Sequence, residues 1–338
     1  MADKLHDEIA WVSDSTGFGR AKPIDDYYHG KMGVTGSTLT ETWCWGFQHP
    51  KTNTHCFIYI YMHPNVGSVT GGLWVHRGTR SHAMFADFHD MHSNMSDDIF
   101  DQDRNIRLAN GLRVEFLDPM KQQRITYRHE GRRFAIDLTF TAFMDAAMRS
   151  NNKHFEQGMH VTGTCELDGE MMRIDCLYNR DRSWGELRPE MTLSVPPYTW
   201  MNGLFSKDFV FNIGAHDDPA LDPEWMGKLE VAADKIVKDA WIWRDGKLLK
   251  LPKVSKITKR DANLFPVRSI IHAEDEEGRA FEFVGEVTAT VPWSPWHNCH
   301  CHIGLARWTS PQVDGIGWGE TQEVQWNDYL RLCGPAPR

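Results

Sequence analysis

The sequence predicts an all-β fold, two antiparallel β-barrels or sandwiches in tandem with little helix. Three observations carry this expectation: strict two-residue alternation, a tight-turn dipeptide between alternating runs, and an internal echo of short motifs. Phe134, Ile136, Leu138 and Phe140 fall on one face of an extended chain, with Ala135, Asp137 and Thr139 on the other. Phe281, Phe283, Val287 and Val291 continue the same pattern later on. Such a period of two marks half-buried antiparallel strands. Between Val161 and Tyr178 two alternating runs meet at Asp168-Gly169, a pair that tolerates the positive φ of a hairpin turn. Helical periodicity is scarce, and only residues 229–240 invite a helix, weakened by their Val and Ile content.

The echo concerns two pairs of motifs in one order. Trp74-Val75-His76-Arg77 is matched by Trp241-Ile242-Trp243-Arg244, and Glu130-Gly131-Arg132-Arg133-Phe134 by Glu277-Gly278-Arg279-Ala280-Phe281. This favours a duplicated β unit whose loops have diverged. A chain of 338 residues is also longer than one core usually serves. The polar stretch Arg149-Ser150-Asn151-Asn152-Lys153, which no hydrophobic pattern crosses, sets the expected boundary, giving domains 1–150 and 151–338.

Composition removes several classes of function. A formal charge of −9 argues against a surface built for nucleic acid. No apolar run approaches the ~18 to 20 residues of a membrane span. Met1 to Ile9 carries three acidic residues and no apolar core of a secretory signal, so a cytoplasmic location is expected. The seven cysteines are odd in number, and free buried thiols are expected rather than a disulfide framework. Fourteen tryptophans suit either aromatic cores or a cavity walled with aromatic faces. Gly-x-Gly-x-x-Gly before a helix and a P-loop are missing, so nucleotide cofactors lack a signature and no cofactor is expected; no Gly-x-Ser-x-Gly elbow appears, which argues against an α/β-hydrolase. The acidic run from Asp97 to Asp103 lacks the Gly and terminal Glu of a Ca²⁺ loop and reads as a solvated loop.

The most specific segment runs from Phe155-Glu156-Gln157-Gly158 through Asp168-Gly169-Glu170 to Arg180-Asp181-Arg182-Ser183-Trp184-Gly185. Its order resembles the carotenoid 1,2-hydratase (hydroxyneurosporene synthase) superfamily and its AttH-like, lipocalin-fold relatives. The N-terminal half is similar to the partner domain of such proteins through Glu41-Thr42-Trp43-Cys44-Trp45-Gly46-Phe47, His63-Pro64-Asn65 and Gly71-Gly72-Leu73-Trp74-Val75. The closing Gly315-Ile316-Gly317-Trp318-Gly319-Glu320 is similar to the family's last Gly-rich strand. The resemblance implies two lipocalin-like barrels, a ligand cavity, and acid-catalysed hydration, dehydration, isomerisation or cyclisation of a hydrophobic, isoprenoid-like substrate. Arg182 stands where a His is usual in that motif.

The residue chemistry agrees. Protonating an alkene or expelling an alcohol needs a carboxylic acid kept neutral by burial, and the resulting cation needs an electron-rich wall. Asp181 is the expected general acid, with Glu156 and Glu320 as second carboxylates. Trp45, Trp184 and Trp318 are the expected cavity walls, and Arg182 a further substrate-binding residue. Strict alternation places Asp181 and Trp184 on opposite faces, so both reach one cavity only if a bulge or strand end lies near Asp181. A non-catalytic carrier of hydrophobic ligands is the alternative. A second alternative is a metal-dependent enzyme: in Trp296-His297-Asn298-Cys299-His300-Cys301-His302, His300 and His302 share a strand face, and His82, His89 or His92 would supply further ligands. Cys299 and Cys301, alternate residues on one strand, are expected to stay unbridged.

Overall fold

The computed structural model describes residues 17–188, 195–221, 229, 231–295 and 298–333. Residues 17–77 and 84–188 form one compact unit; residues 78–83 and the described residues beyond 188 form a second.

The first unit is a curled antiparallel sheet. Its strands are β1 (Leu39–His49), β2 (Thr54–His63), β3 (Ser68–Arg77), β4 (Phe88–Ser96), β5 (Ile106–Arg107) and β6 (Arg113–Asp118). They are followed by β7 (Gln122–His129), β8 (Phe134–Ala142), β9 (Ala147–Met148), β10 (His154–Leu167) and β11 (Glu170–Leu187). The spatial order is β4-β3-β2-β1-β11-β10-β8-β7-β6-β5, with β9 beside β10. The second unit holds β12 (Tyr198–Ser206), β13 (Phe209–His216), β14 (Val237–Arg244), β15 (Lys247–Lys250) and β16 (Lys253–Arg260). It ends with β17 (Pro266–Glu274), β18 (Ala280–Trp293), β19 (Cys299–Ser310), β20 (Val313–Trp326) and a short helix α1 (Asn327–Cys333). Its order is β15-β14-β13-β12-β20-β19-β18-β17-β16.

The two orders are one order. Matching β1–β4 to β12–β15, β6–β8 to β16–β18, and β10 and β11 to β19 and β20 superposes every neighbour relation of the second sheet, with β5 and β9 as additions to the first. The sequence echoes fall at equivalent places: Trp74–Arg77 closes β3 and Trp241–Arg244 closes β14. Glu130–Phe134 and Glu277–Phe281 each turn into the next strand, β8 and β18.

Alternation builds both cores. On β8, Phe134, Ile136, Leu138 and Phe140 are buried against Trp43, Trp45, Phe47, Ile58 and Ile60. Phe281 and Phe283 of β18 pack with Phe211, Ile242 and Trp308. Past Val287 the pairing of β18 with β19 slips by one residue before Ala289, so Val291 does not continue the face of Phe281. The Asp168-Gly169 hairpin forms as expected, both residues at positive φ (55° and 86°) between paired Leu167 and Glu170.

Two expectations need correction. The boundary expected at 149–153 is not where the units divide. Residues 154–187 pair with β1 and β8 of the first sheet, and the division follows Arg188. Asn152 at φ 54° instead turns the chain into β10, because a polar stretch marks a turn as readily as a linker. Nor do the described residues of the 229–240 stretch form an α-helix: after a 3-10 turn at Ala233–Lys235 the chain enters β14, where Val237–Arg244 pairs with β13. Pairing outweighs the weak helical pattern there. None of Cys44, Cys56, Cys165, Cys176, Cys299 and Cys301 is in a disulfide. Among the described residues no helix is long and apolar enough to cross a membrane.

At the end of β13, His216 is buried and its Nδ1 lies 2.8 Å from the Pro196 carbonyl. Burial, aided by the neighbouring Lys238 cation, pushes its pKa down to about 3. The unfolded imidazole titrates near ~6.5, so between these values the unfolded chain binds the extra proton. Stability is therefore complete above ~6.5 and falls with decreasing pH toward 3, with a slope of up to ~1.4 kcal/mol per unit from this residue. His216→Asn, which keeps an N–H donor, should flatten that slope in urea unfolding measured across pH 4–6.5. An unchanged slope would assign the acid sensitivity elsewhere.

Candidate functional site

Strand β11 sorts the Arg-Asp-x-Ser-Trp-Gly motif onto two faces. Arg182 lies opposite Trp43 on β1 and Phe155 on β10, and its guanidinium covers the Trp43 ring at 3.9 Å. Arg180, Arg182 and Trp184 thus share the inner face, that of the core. Asn179, Asp181 and Ser183 alternate to the outer face, where Asp181 meets Cys44 of β1 and Glu156 of β10. A bulge exists, but beyond the motif's tryptophan. Thr42 opposes Ser183 while Thr40 opposes Glu186, leaving Trp184 and Gly185 against one residue, with Gly185 at φ 69°. It comes too late to bring Asp181 and Trp184 to one side.

The inner half is a closed ionic clamp. Arg180 donates to Asp26 at 2.6 Å and to Gln157 Oε1 at 2.7 and 3.1 Å. Arg182 donates to the carbonyls of Ser183 (2.6 Å), Tyr27 (2.7 Å) and Thr42 (3.0 Å) and to the Glu41 carboxylate. Burial pulls the Arg182 pKa down, while Glu41 and Asp26 oppose that loss. His29 stands between two carboxylates, 3.3 Å from both Asp25 and Glu41, and stacks on Trp184 at 4.1 Å with the rings within 3° of parallel. These contacts fasten residues 25–29 against the inner face. Arg180, Arg182, Asp26 and Glu41 are all essentially inaccessible, as a structural clamp requires and a substrate site does not. Trp45 also belongs to the packed core, its indole N–H donating to Gln123 at 3.2 Å.

The outer half is polar yet largely buried. Tyr59 of β2 faces Cys44 and hydrogen-bonds Arg188, with Asp181 within electrostatic reach. Arg188 donates to Ser183 Oγ at 3.2 Å and pairs with Glu186 at 3.6 Å; Ser183 and Thr42 share a hydrogen bond of 2.6 Å. Burial pushes the Tyr59 phenol well above its usual range, so it stays protonated. Burial alone would weaken the Arg188 cation, but Tyr59, Glu186 and Asp181 together hold its pKa above the usual value. Glu156 is only 3% exposed and engages His154 (2.8 Å) and Arg149 (3.3 Å). Asp181 remains half-buried, the accessible carboxylate of the pair.

Glu320 and Trp318 lie in the second unit, on β20, so they do not join Asp181 within one unit. Glu320 accepts from Gln322, and its backbone N–H donates to Asn202 at 3.1 Å. Trp318 opposes Leu204 and Arg307 and is half-buried. His300 is exposed beside Ser294, whereas His302 is buried edge-on to Phe265 at 4.8 Å. Among the described residues no three His, Cys, Asp or Glu side chains could hold a metal ion. Trp296 and His297 lie outside those residues. His89 and His92 sit on a strand, β4, and His92 pairs with Asp90 at 2.6 Å.

Sequence reasoning missed Tyr59, Arg188, Glu41, Asp26 and His29 as partners of the motif. The available signal was the alternation of Tyr59 and Tyr61 along β2, which sets phenols opposite the inward Ile58 and Ile60.

Two curled antiparallel sheets with one shared strand order define a tandem lipocalin-like protein. The chain belongs to the family described as a domain of unknown function, DUF7064, whose model matches residues 22–327. No curated protein matches it in sequence. Among solved structures it is similar to a candidate AttH (NE1406) from Nitrosomonas europaea, with 13% identity, a TM-score of 0.58, and 92% of this chain and 98% of that one covered. Kievitone hydratase from Nectria haematococca is similar at 13% identity and TM-score 0.52, over 92% of this chain and 96% of that one. CghA is similar at 13% identity and TM-score 0.58, over 94% and 96%. At this identity the likeness is one of fold.

Removing one partner of a buried ion pair strands the other charge, so Glu41→Gln or Arg182→Met should cost about 3–5 kcal/mol in urea unfolding. Asp181→Asn, at a half-buried site, should cost under about 1 kcal/mol. Equal losses would contradict the division between clamp and accessible face.

Proposed function

We propose that the protein is an enzyme acting on a small hydrophobic molecule that carries a polar oxygen, by addition or removal of water, isomerisation or cyclisation. The reaction is placed on the outer face of β1, β2 and β11. The observation that carries this reading is the meeting of Asp181, Tyr59 and Arg188, a carboxylate, a protonated phenol and a cation on one partly buried sheet face. Kievitone hydratase, which shares the fold, lends support by its name.

The neighbours alter the role expected of Asp181. A neutral general acid needs an uncharged, apolar setting, and Arg188 beside it suits an ionised carboxylate instead. The division of labour then runs the other way. Tyr59 holds a proton and donates it, or a hydrogen bond, to the substrate oxygen. Asp181 accepts a proton from carbon or from an attacking water, and Arg188 stabilises the negative charge that develops between them. Glu156, held by His154 and Arg149, positions that part of the face. Trp184 contributes to the clamp on the other side of the sheet and shields no intermediate here. A non-catalytic binding protein remains the competing class, and the test below separates the two.

The ligand can be identified by mass spectrometry of small molecules that co-purify with the full chain, and then used as the assay compound. Asp181→Asn and Tyr59→Phe should each bind it within about threefold of the parent yet lose turnover by about 10²-fold or more. Because the phenol stays protonated, activity should hold between about pH 7 and 9; a neutral Asp181 acid would lose it in that range. Binding without turnover in the parent protein would make it a carrier. Full activity in Asp181→Asn would move the base elsewhere, with Glu156 tested next.

A further inference from the structure

We propose that Asn110 is a self-modifying site: its side chain closes on the Gly111 nitrogen, loses ammonia, and leaves an aspartate or isoaspartate at the seam of the first sheet. This site is separate from Asp181 and does not depend on the reading above.

The seam exists because the sheet curls. Strands β4 and β5 stand at opposite ends of the strand order and do not pair with each other. Side chains tie the two ends instead. Tyr127 of β7 donates to the Asp90 carboxylate on β4, and Arg132 donates to the Asp87 carbonyl at 3.0 Å. Asn110, in the turn between β5 and β6, makes a third tie. Its Nδ2 donates to the Gly71 carbonyl of β3 at 3.3 Å and to the Asp90 carbonyl at 3.4 Å. The glycine pair of β3 receives this turn. A Cβ on Gly71 would stand 2.7 Å from Leu108 Cδ1, and one on Gly72 would stand 3.0 Å from Asn110 Nδ2. Side chains there would push the turn off the strand.

The same turn is arranged for ring closure. Asn110 Oδ1 accepts from the Leu112 N–H at 3.4 Å, which folds the side chain forward along the next peptide. That brings Cγ toward the Gly111 nitrogen, and proximity of this kind makes an intramolecular attack efficient. Gly111 is exposed, at φ 98°, and open space surrounds the position of its missing Cβ, so the peptide can turn and water has access. One hydrogen bond, from the Gly111 N–H to the Leu108 carbonyl at 3.0 Å, must open first. An exposed turn opens at low free energy.

The sequence holds a second Asn-Gly pair, Asn202-Gly203, which serves as an internal control. Asn202 is 7% exposed on β12, and its Oδ1 accepts from the Glu320 N–H at 3.1 Å. Gly203 pairs with Phe211, whose ring would lie 2.4 Å from an added Cβ. Nothing there can turn. In the step at Asn110, solvent base removes the Gly111 N–H proton and the nitrogen attacks Cγ. The Cγ–Nδ2 bond breaks, and Nδ2 takes up a proton and leaves as ammonia. Water then opens the cyclic imide. Breaking its N–Cγ bond gives aspartate, whereas breaking its bond to the Asn110 main-chain carbonyl carbon gives isoaspartate. Either product sets a carboxylate where an amide donor faced two carbonyl oxygens, so the tie becomes a repulsion.

The full chain, aged at pH 8 and 37 °C, can be digested and mapped by mass spectrometry, with amide hydrogen exchange followed on the same samples. Asn110 should convert at least about tenfold faster than Asn202, and faster again at higher pH. Asn110→Asp should exchange the amides of β3 and β4 at least about fivefold faster than the parent. An unconverted Asn110, or equal conversion at the two pairs, would overturn the proposal. Exchange in Asn110→Asp equal to that of the parent would overturn the role at the seam. If Asn110→Asp does not fold, the aged parent, which folded before it was modified, carries the exchange test.

Discussion

Strand β11 is paired along both edges, to β1 on one side and β10 on the other, and most of the first unit depends on that constraint. A strand locked on both sides cannot rotate or slip, since a shift of one residue would exchange its two faces. Its alternation therefore decides which charges go inward and which outward. Inward go two arginines, and each must meet a carboxylate because a buried guanidinium without one is untenable. Asp26 and Glu41 meet that demand, and with them comes the whole segment that carries Tyr27 and His29. Outward goes Asp181, beside a phenol and a third arginine.

The two units handle buried charge in a common way. The inner clamp of the first has a counterpart in the second, where Arg260 joins Asp217 at 2.6 Å and Glu323 at 2.8 Å beside Lys256. In both, the central strand pair supplies one member, Arg182 on β11 or Glu323 on β20. Such networks add little stability compared with apolar packing, but they tolerate few alternative arrangements. Against that background the outer face of the first unit stands apart because its carboxylate, Asp181, is only half-buried, and a carboxylate kept partly accessible beside a cation is where chemistry is worth seeking.

Much of the fold was legible from pattern alone. Alternation in 134–140, the Asp168-Gly169 turn and the paired echoes reflect local rules that tertiary structure does not overrule. Less legible was anything that depends on which strand lies beside which. The turn at 149–153 reads as a boundary because polarity does not say whether the next strand returns to the same sheet. The alternation of Phe281 to Val291 breaks at a bulge no residue type announces. At the candidate site, the sequence showed the motif on one strand and warned that Asp181 and Trp184 point apart, as the pairing of β11 has them. It could not supply Tyr59 or Arg188, which come to the face of Asp181 through pairing across β1 and through the end of β11 beyond its bulge.

The pairing of β1 with β11 also joins residues far apart in the chain: Thr42 and Ser183 share a hydrogen bond across 141 positions. During synthesis the first sheet cannot close until the strand bearing the motif has emerged. Until then β1 presents an open edge lined with Trp43 and Trp45. Loop closure of that length is slow, and an unpaired apolar edge is a template for wrong partners. The strand that carries the candidate site thus also times the folding of the unit, and a substitution that weakens its pairing with β1 would lengthen the exposure of that edge.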